Sequence, residues 1–135
     1  MKQSMTIIYV PDPAASAEFW QKAFGMKVKM IFDDNSYADL YPAREGDVSI
    51  GFVNSEDFEE MYGIRFTPTG LPRTQISLNS LNVDSDFARA VSAGARPLLP
   101  PHKTDWSLRV AYVQDPQGTV VILTGPMNPD LFNRM

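Results

Sequence analysis

The chain begins with a short apolar run and continues with a helical pattern. Residues Met5 to Val10 are rich in β-branched side chains, and the following Pro11-Asp12-Pro13 ends a strand and supplies Asp12 as a cap. From about Pro13 to Phe24, apolar positions recur at helical spacing, and Gly25 suits the helix end. The pattern predicts a strand and then a helix whose buried stripe consists of Ala15, Phe19, Ala23 and Phe24.

Strand-like segments follow this helix and lead into an irregular stretch. Turn-rich sequence separates three predicted strands, at Met26 to Phe32, Tyr37 to Tyr41, and Asp47 to Val53. Ser55 to Met61 has the pattern of a short capped helix, and Thr67 to Pro72 is too rich in proline and glycine for regular structure. Residues 54–73 are therefore predicted to link two halves of the chain.

The second half repeats the order of the first. The predicted elements are a strand at Thr74 to Asn79, a helix at about Asp84 to Ala93, a short strand at Arg96 to Leu99, a long strand at Trp106 to Gln114, and a last strand at Thr119 to Thr124. Ile76 follows Ile7 by 69 positions, and Gly94 follows Gly25 by the same 69. Two β-α-β-β-β modules, at about 5–53 and 74–125 of a single domain 1–135, explain this spacing, with chance as the alternative.

Composition narrows the possible partners. With 135 residues, of which 44% are hydrophobic, the chain can fill one core. A net charge of -4 with scattered basic residues argues against nucleic acid or an anionic membrane as partner. The sequence contains no cysteine and no apolar run of the roughly 20 residues that cross a bilayer. We expect a soluble cytoplasmic protein without disulfides.

Two stretches carry a family resemblance. Tyr9 to Trp20, with Phe24-Gly25-Met26 behind it, and Arg109 to Val121, with its Asp115-Pro116-Gln117-Gly118 turn, resemble the opening and closing motifs of the glyoxalase, bleomycin-resistance and dioxygenase superfamily. The resemblance implies an α+β fold in which the two modules pair into an incompletely closed eight-stranded cup, with helices outside and the ligand inside. It also implies a homodimer.

The resemblance places four metal-ligand positions on this sequence. They fall on Met5, Gly51, Gln75 and Ile122, and of these side chains only Gln75 can coordinate a metal ion. We therefore expect no metal, no other cofactor, and neither metal-dependent lyase nor dioxygenase activity. The single histidine, His102, is in the predicted loop Pro100 to Lys103 and is expected to be solvated.

Strand alternation then sorts the residues that would line the cup. Taking Met5 and Gln75 as inward, alternation along the strands and the family resemblance give nine candidate ligand-binding residues, and Arg109 is a tenth because its charge could counter an acidic group of the ligand. These are Tyr9, Tyr37, Asp39, Tyr41, Gln75, Ser77, Asn79, Trp106, Arg109 and Tyr112. Trp106 resembles the tryptophan on which the ligands of antibiotic-binding relatives stack. The alternative is that Trp106, Tyr37 and Tyr112 fill the cup as core and that Arg109 forms a surface salt bridge.

Three functions are compatible with this lining. Aromatic rings with a few neutral polar groups suit a planar organic ligand, so the leading hypothesis is a protein that sequesters a small aromatic compound and confers drug resistance. A metal-independent lyase or isomerase using a tyrosine or Asp39 as acid or base is the second hypothesis. The third is a dimeric module in a regulatory complex.

Overall fold

The structure is a computed structural model that describes residues 1–67, 70, 72 and 74–126, and the chain divides into two compact units, Met1–Pro68 and Thr69–Met135. Four positions of the predicted linker (68, 69, 71 and 73) lie outside the described residues, as does the tail 127–135 with Leu131 and Phe132. The two units are described separately below.

The first unit contains one four-stranded sheet and two helices. In chain order its elements are β1 (Met5–Val10), α1 (Pro13–Phe24), β2 (Val28–Ile31), β3 (Tyr37–Leu40), β4 (Ser49–Asn54) and α2 (Ser55–Tyr62). The strand order is β1-β4-β3-β2, with β1 parallel to β4 and the other pairs antiparallel. The short helix predicted after Val53 is confirmed, and Asn54 caps it.

The second unit repeats this arrangement. Its elements are β5 (Gln75–Asn79), α3 (Val83–Ser92), β6 (Arg96–Lys103), β7 (Leu108–Gln114) and β8 (Val120–Pro126). The strand order is β5-β8-β7-β6, again with one parallel pair, β5 with β8. The helix caps Asp12 and Asn82 are 70 positions apart, close to the predicted offset. The α+β fold with two β-α-β-β-β modules is confirmed.

Helix α1 has the predicted bounds but a different buried stripe. Asp12 accepts a hydrogen bond from the Ala15 amide, and Gly25 ends the helix in the left-handed conformation at φ 70°. The buried residues are Pro13, Ser16, Ala17, Trp20 and Ala23, which follow the i, i+3, i+4, i+7 spacing of one helix face. The prediction was wrong for Ala15, which is exposed, and for Phe19 and Phe24, which are half-buried.

Helices α1 and α3 each pack on one face of their own sheet. In the first unit, the fully buried Trp20 contacts Phe52 of β4, and Ala38 and Leu40 of β3 are equally buried. In the second, the buried residues include Val83 and Ala90 of α3 and Ala111 and Val113 of β7. The helix-facing residues predicted on β3 and β7 are therefore confirmed as core. Within the described part of the chain, no helix is long and apolar enough to span a membrane.

Two predicted boundaries around the β6–β7 turn were wrong. Strand β6 does not stop at Leu99 but continues through Pro100 and Pro101 to Lys103. His102 therefore lies in a strand, and its Nδ1 is 2.8 Å from the Pro100 carbonyl oxygen. An edge strand with register shifts can accommodate prolines because its outer N–H groups have no ladder partner. Strand β7 begins at Leu108 and not at Trp106, which belongs to the turn before Ser107 with its φ of 65°.

Candidate functional site

A tyrosine and an aspartate lie side by side on the face of β3 opposite α1. Tyr37 and Asp39 alternate with the helix-facing Ala38 and Leu40, as predicted. The Tyr37 hydroxyl donates a hydrogen bond of 2.9 Å to Oδ2 of Asp39. Asp39 is only 9% exposed, and its Oδ1 is buried without a hydrogen-bond partner among the described residues. This carboxylate therefore retains an unused acceptor.

Gly51 of β4 stands opposite Asp39 in the ladder and leaves a space that neighbouring side chains occupy. A Cβ at Gly51 would lie 2.9 Å from Cδ1 of Ile7, 3.1 Å from the Tyr37 hydroxyl and 3.3 Å from Cε of Met5. The Tyr37 hydroxyl is also 3.7 Å from the Met5 sulfur. Two apolar tips and one hydroxyl thus meet above Gly51.

The environment of Tyr37 keeps its hydroxyl protonated. Burial, the hydrogen bond to Asp39 and the charge of that carboxylate, in decreasing order, raise the pKa of Tyr37 to about 12. At neutral pH the hydroxyl is therefore a donor, and it holds one oxygen of Asp39 in place.

The first unit also contains an aromatic cluster of four residues, Tyr9, Phe58, Tyr62 and Phe66. The ring of Tyr9 lies 4.6 Å from that of Phe66 and 5.1 Å from that of Phe58, and Tyr62 lies 4.9 Å from Phe58. Tyr9 was predicted as a candidate, whereas Phe58 and Tyr62 were missed. Their signal was available, since Phe58 and Tyr62 are four positions apart on α2 and share one helix face.

Tyr41 does not join Tyr37 and Asp39 in strand β3. The strand ends at Leu40, and Tyr41 is 51% exposed, with its ring centroid 6.0 Å from the Lys29 ammonium. It borders a separate shallow cavity of about 380 Å³ whose lining includes Gly25 and Pro42. The predicted strand bound was therefore wrong by one residue, since β3 ends at Leu40 and not at Tyr41.

In the second unit, polar residues follow one face of β5. Gln75, Ser77 and Asn79 are exposed and alternate with the half-buried Ile76 and Leu78, as strand periodicity predicted. Ser77 pairs with Ile122 of β8, and Ile122 pairs in turn with Tyr112 of β7. Tyr112 is half-buried.

Arg109 lies in an ion pair and Trp106 in a turn. The Arg109 guanidinium binds both carboxylate oxygens of Asp84 in the first turn of α3, with Nε to Oδ2 at 2.6 Å and Nη2 to Oδ1 at 2.8 Å. Strand alternation puts Arg109 on the helix side with Ala111, and the ion pair with Asp84 is the salt-bridge alternative that the sequence left open. Trp106 is in the β6–β7 turn and is 64% exposed.

The four family ligand positions provide almost no metal donors. Met5 and Gly51 belong to the apolar group around the Tyr37 hydroxyl, and Ile122 is a buried aliphatic side chain. Gln75 is exposed and provides one amide oxygen. No group of three or more His, Cys, Asp or Glu side chains that could hold a metal ion occurs in residues 1–67, 70, 72 and 74–126. These residues do not fit a divalent cation.

Comparison with known proteins identifies the family. The model of the Glyoxalase/Bleomycin resistance protein/Dioxygenase superfamily matches residues 2–123, and the chain belongs to this superfamily. No curated protein matches the chain.

Solved structures show the same fold at low sequence identity. A glyoxalase/bleomycin resistance protein/dioxygenase family enzyme from Burkholderia phytofirmans PsJN has 23% identity and a TM-score of 0.78, over 92% of this chain and 98% of that one. A glyoxalase-related enzyme from Fulvimarina pelagi has 20% identity and a TM-score of 0.75, over 96% and 89% of the two chains. TioX from Micromonospora sp. ML1 has 20% identity and a TM-score of 0.70, over 94% and 100%.

Proposed function

We propose that this chain binds a small planar aromatic compound without a metal ion and sequesters it in the cytoplasm, as a drug-resistance protein does. The observation that carries the proposal is the chemistry of the sheet faces opposite the helices. Tyr9 and Tyr37 stand there in the first unit, and Gln75, Ser77, Asn79 and Tyr112 on the corresponding faces of the second. Aromatic rings stack on π-systems, while amides and hydroxyls fix a ligand's orientation.

The donor set at the family's metal positions supports the metal-independent part of the proposal. One amide oxygen is not enough to hold a divalent ion. Protein purified without chelators should therefore contain no stoichiometric zinc, nickel, iron or manganese by elemental analysis. One such ion per chain, removable with loss of ligand binding, would refute metal independence.

A thermal-shift screen of planar aromatic antibiotics and metabolites tests the binding function. A ligand at 100 times its dissociation constant adds about 2.7 kcal/mol to the free energy of unfolding. The shift should be the same with and without EDTA. If no aromatic compound raises the melting temperature while a non-aromatic metabolite does, the proposed ligand class is wrong.

Trp106 is proposed as a stacking surface for this ligand. Its exposed ring is available for contact, whereas Trp20 is fully buried beside Phe24 and Phe52. Ligand binding should quench the fluorescence of Trp106, and Trp106→Ala should weaken binding by about 1 to 2 kcal/mol. Trp106→Phe, which keeps a ring, should retain most of the affinity. Equal affinity of wild type and Trp106→Ala would remove Trp106 from the site.

The homodimer implied by the family remains a proposal. Sheet edges that carry unpaired backbone groups are commonly covered by a second copy. Light scattering at micromolar concentration should give about twice the 15.1 kDa chain mass. A single-chain mass over the whole concentration range would contradict it.

A second candidate function, metal-independent acid or base catalysis, is favoured by the buried carboxylate of Asp39. A carboxylate with one free oxygen can accept a proton from a bound substrate. The two candidates are separated by incubating each ligand found in the screen with the protein and analysing the products. A ligand that is unchanged after prolonged incubation supports binding alone. A ligand that is converted by the wild type and not by Asp39→Asn supports catalysis.

A further inference from the structure

The unpaired oxygen of Asp39 is the feature from which a ligand class can be inferred. An ionised carboxylate is only an acceptor, and a buried acceptor without a donor is costly in free energy. The Tyr37 hydroxyl satisfies Oδ2, but nothing in the described part of the chain satisfies Oδ1. The ion pairs Arg65–Glu59 and Arg109–Asp84 do not involve Asp39, which has no basic partner within hydrogen-bond distance among the described residues.

Two apolar side chains lie beside the Tyr37 hydroxyl. Met5 and Ile7 approach the Tyr37 hydroxyl above Gly51, and both are half-buried members of β1. Methionine is unbranched, so its thioether can rotate away at small cost. Gly51 adds no side chain of its own, so the Met5 tip is one of the three groups that fill the space above this glycine.

We propose that Asp39 is the anchor for a positively charged N–H group of the ligand, with Tyr37 holding the carboxylate and Met5 acting as a displaceable cover. This inference rests on the proposed function and specifies it: the aromatic ligand carries an ammonium or similar cationic donor. A cationic N–H supplies both the missing hydrogen bond and the missing opposite charge. A neutral hydroxyl supplies only the first, and an anion is repelled by Asp39.

Three probes with one ring system test the charge preference. Naphthylmethylamine, naphthylmethanol and naphthoate share the ring and differ in the polar group, and their affinities are measured by calorimetry at pH 7. The amine should bind the wild type about tenfold more tightly than the alcohol, with naphthoate weakest. Asp39→Asn should bind amine and alcohol within about twofold of each other, because the variant retains the shape and loses the charge.

Two variants serve as controls. Asp47→Asn removes an exposed carboxylate of the same unit and should leave the tenfold preference intact. Met5→Ala should strengthen binding of the amine, because the cover is gone. The inference is overturned if the wild type does not prefer the amine or if the preference survives in Asp39→Asn. In either case, binding of naphthylmethanol would still support the proposed function. If none of the probes binds wild type or Met5→Ala, the inference is wrong for aromatic amines, and the screen decides the proposed function separately.

A measurement without any ligand tests the same point. If Asp39 is retained for binding, neutralising it should raise the melting temperature at pH 7, because a buried unpaired charge opposes folding. A lower melting temperature in Asp39→Asn than in Asp47→Asn would show that the carboxylate is structural, and the anchor role would be refuted.

Discussion

The two units tie the start of their third strand to the helix N-terminus in different ways. In the first unit, the Asn35 side chain accepts from the Ala14 amide at 2.9 Å and donates to Oδ1 of the cap Asp12 at 2.8 Å. In the second, Arg109 binds Asp84, the residue 70 positions after Ala14, through an ion pair. An amide hydrogen-bond network therefore connects strand and helix in the first unit, and an ion pair connects them in the second.

The sheet faces opposite the helices diverge even more. The row Ile7–Gly51–Asp39 of the first sheet corresponds to the row Ser77–Ile122–Tyr112 of the second. A glycine beside a buried acid thus has its counterpart in an isoleucine beside a tyrosine. The helix-facing sides, by contrast, are mainly apolar in both units, as Ala38 and Leu40 of β3 and Ala111 and Val113 of β7 show. Packing against the helix constrains one face, and the other face is available for specialisation.

The largest difference in tolerance should appear at two glycines. A Cβ at Gly125 would overlap the backbone carbonyl of Ser80, whereas at Gly51 it would meet only the ends of side chains. Backbone cannot rotate away, so Gly125→Ala should lower the free energy of unfolding by about 3 kcal/mol or more, and Gly51→Ala by about 1 kcal/mol. Urea denaturation measures both. Equal losses would show that the second unit is no more tightly packed at this point than the first.

The Asn35 network should be the more costly of the two tethers to remove. Asn35 has a φ of 57°, a conformation that asparagine tolerates better than alanine does. Asn35→Ala loses both side-chain hydrogen bonds and adds backbone strain, for an expected loss of about 2 kcal/mol in the free energy of unfolding. Asn35→Gly relieves the strain and should lose about half as much. If both variants are as stable as wild type, the network does not hold the strand.

Acid should weaken both tethers. The hydrogen bond from Asn35, followed by that from the Ala15 amide, holds the pKa of Asp12 below its ordinary value of 3.8. The Arg109 hydrogen bond does the same for Asp84. A carboxyl group whose pKa is lower in the folded state than in the unfolded state stabilises the fold at pH values above its unfolded-state pKa. This stabilisation is lost as the pH falls through the folded-state pKa. Stability should therefore fall below about pH 4 in wild type and fall less steeply in Asn35→Ala. If the stability of wild type and of Asn35→Ala falls in parallel as the pH is lowered, Asn35 does not influence the titration of Asp12.

The smallest effect is expected at the ion pair of the second unit. Arg109→Gln removes an interaction with the partly solvated Asp84, so its loss of stability should be below that of Asn35→Ala. The difference from wild type should vanish in about 1 M salt, where the screening length is only about 3 Å. The Asn35→Ala effect should persist there. Salt dependence of the Asn35 variant and not of the Arg109 variant would reverse the comparison.

The sequence predicted the elements better than their edges. Proline, glycine and hydrophobic periodicity were sufficient to place the three helices and eight strands that the structure describes, because these signals act locally. The extension of β6 through Pro100 and Pro101 depends on its position at the sheet edge, which is a tertiary property. Trp106 was predicted in a strand and lies in the turn before Ser107.

The candidate site was predicted in part. Alternation correctly placed Tyr37 and Asp39 together, since it needs only the strand assignment. It could not show that Tyr37 binds one carboxylate oxygen and leaves the other unpaired, because that depends on side-chain rotamers. The contact of Tyr9 with Phe58 joins residues 49 positions apart and was equally inaccessible from local patterns.

The prolines of β6 affect whether copies of this protein can pair their sheets at high concentration. Three of the eight residues in this edge strand, Pro97, Pro100 and Pro101, have no N–H group to offer another chain. A strand from a second molecule would find an interrupted row of donors and could not continue the sheet there by regular backbone pairing. The prolines thereby protect this edge from amyloid-like growth when the protein is concentrated.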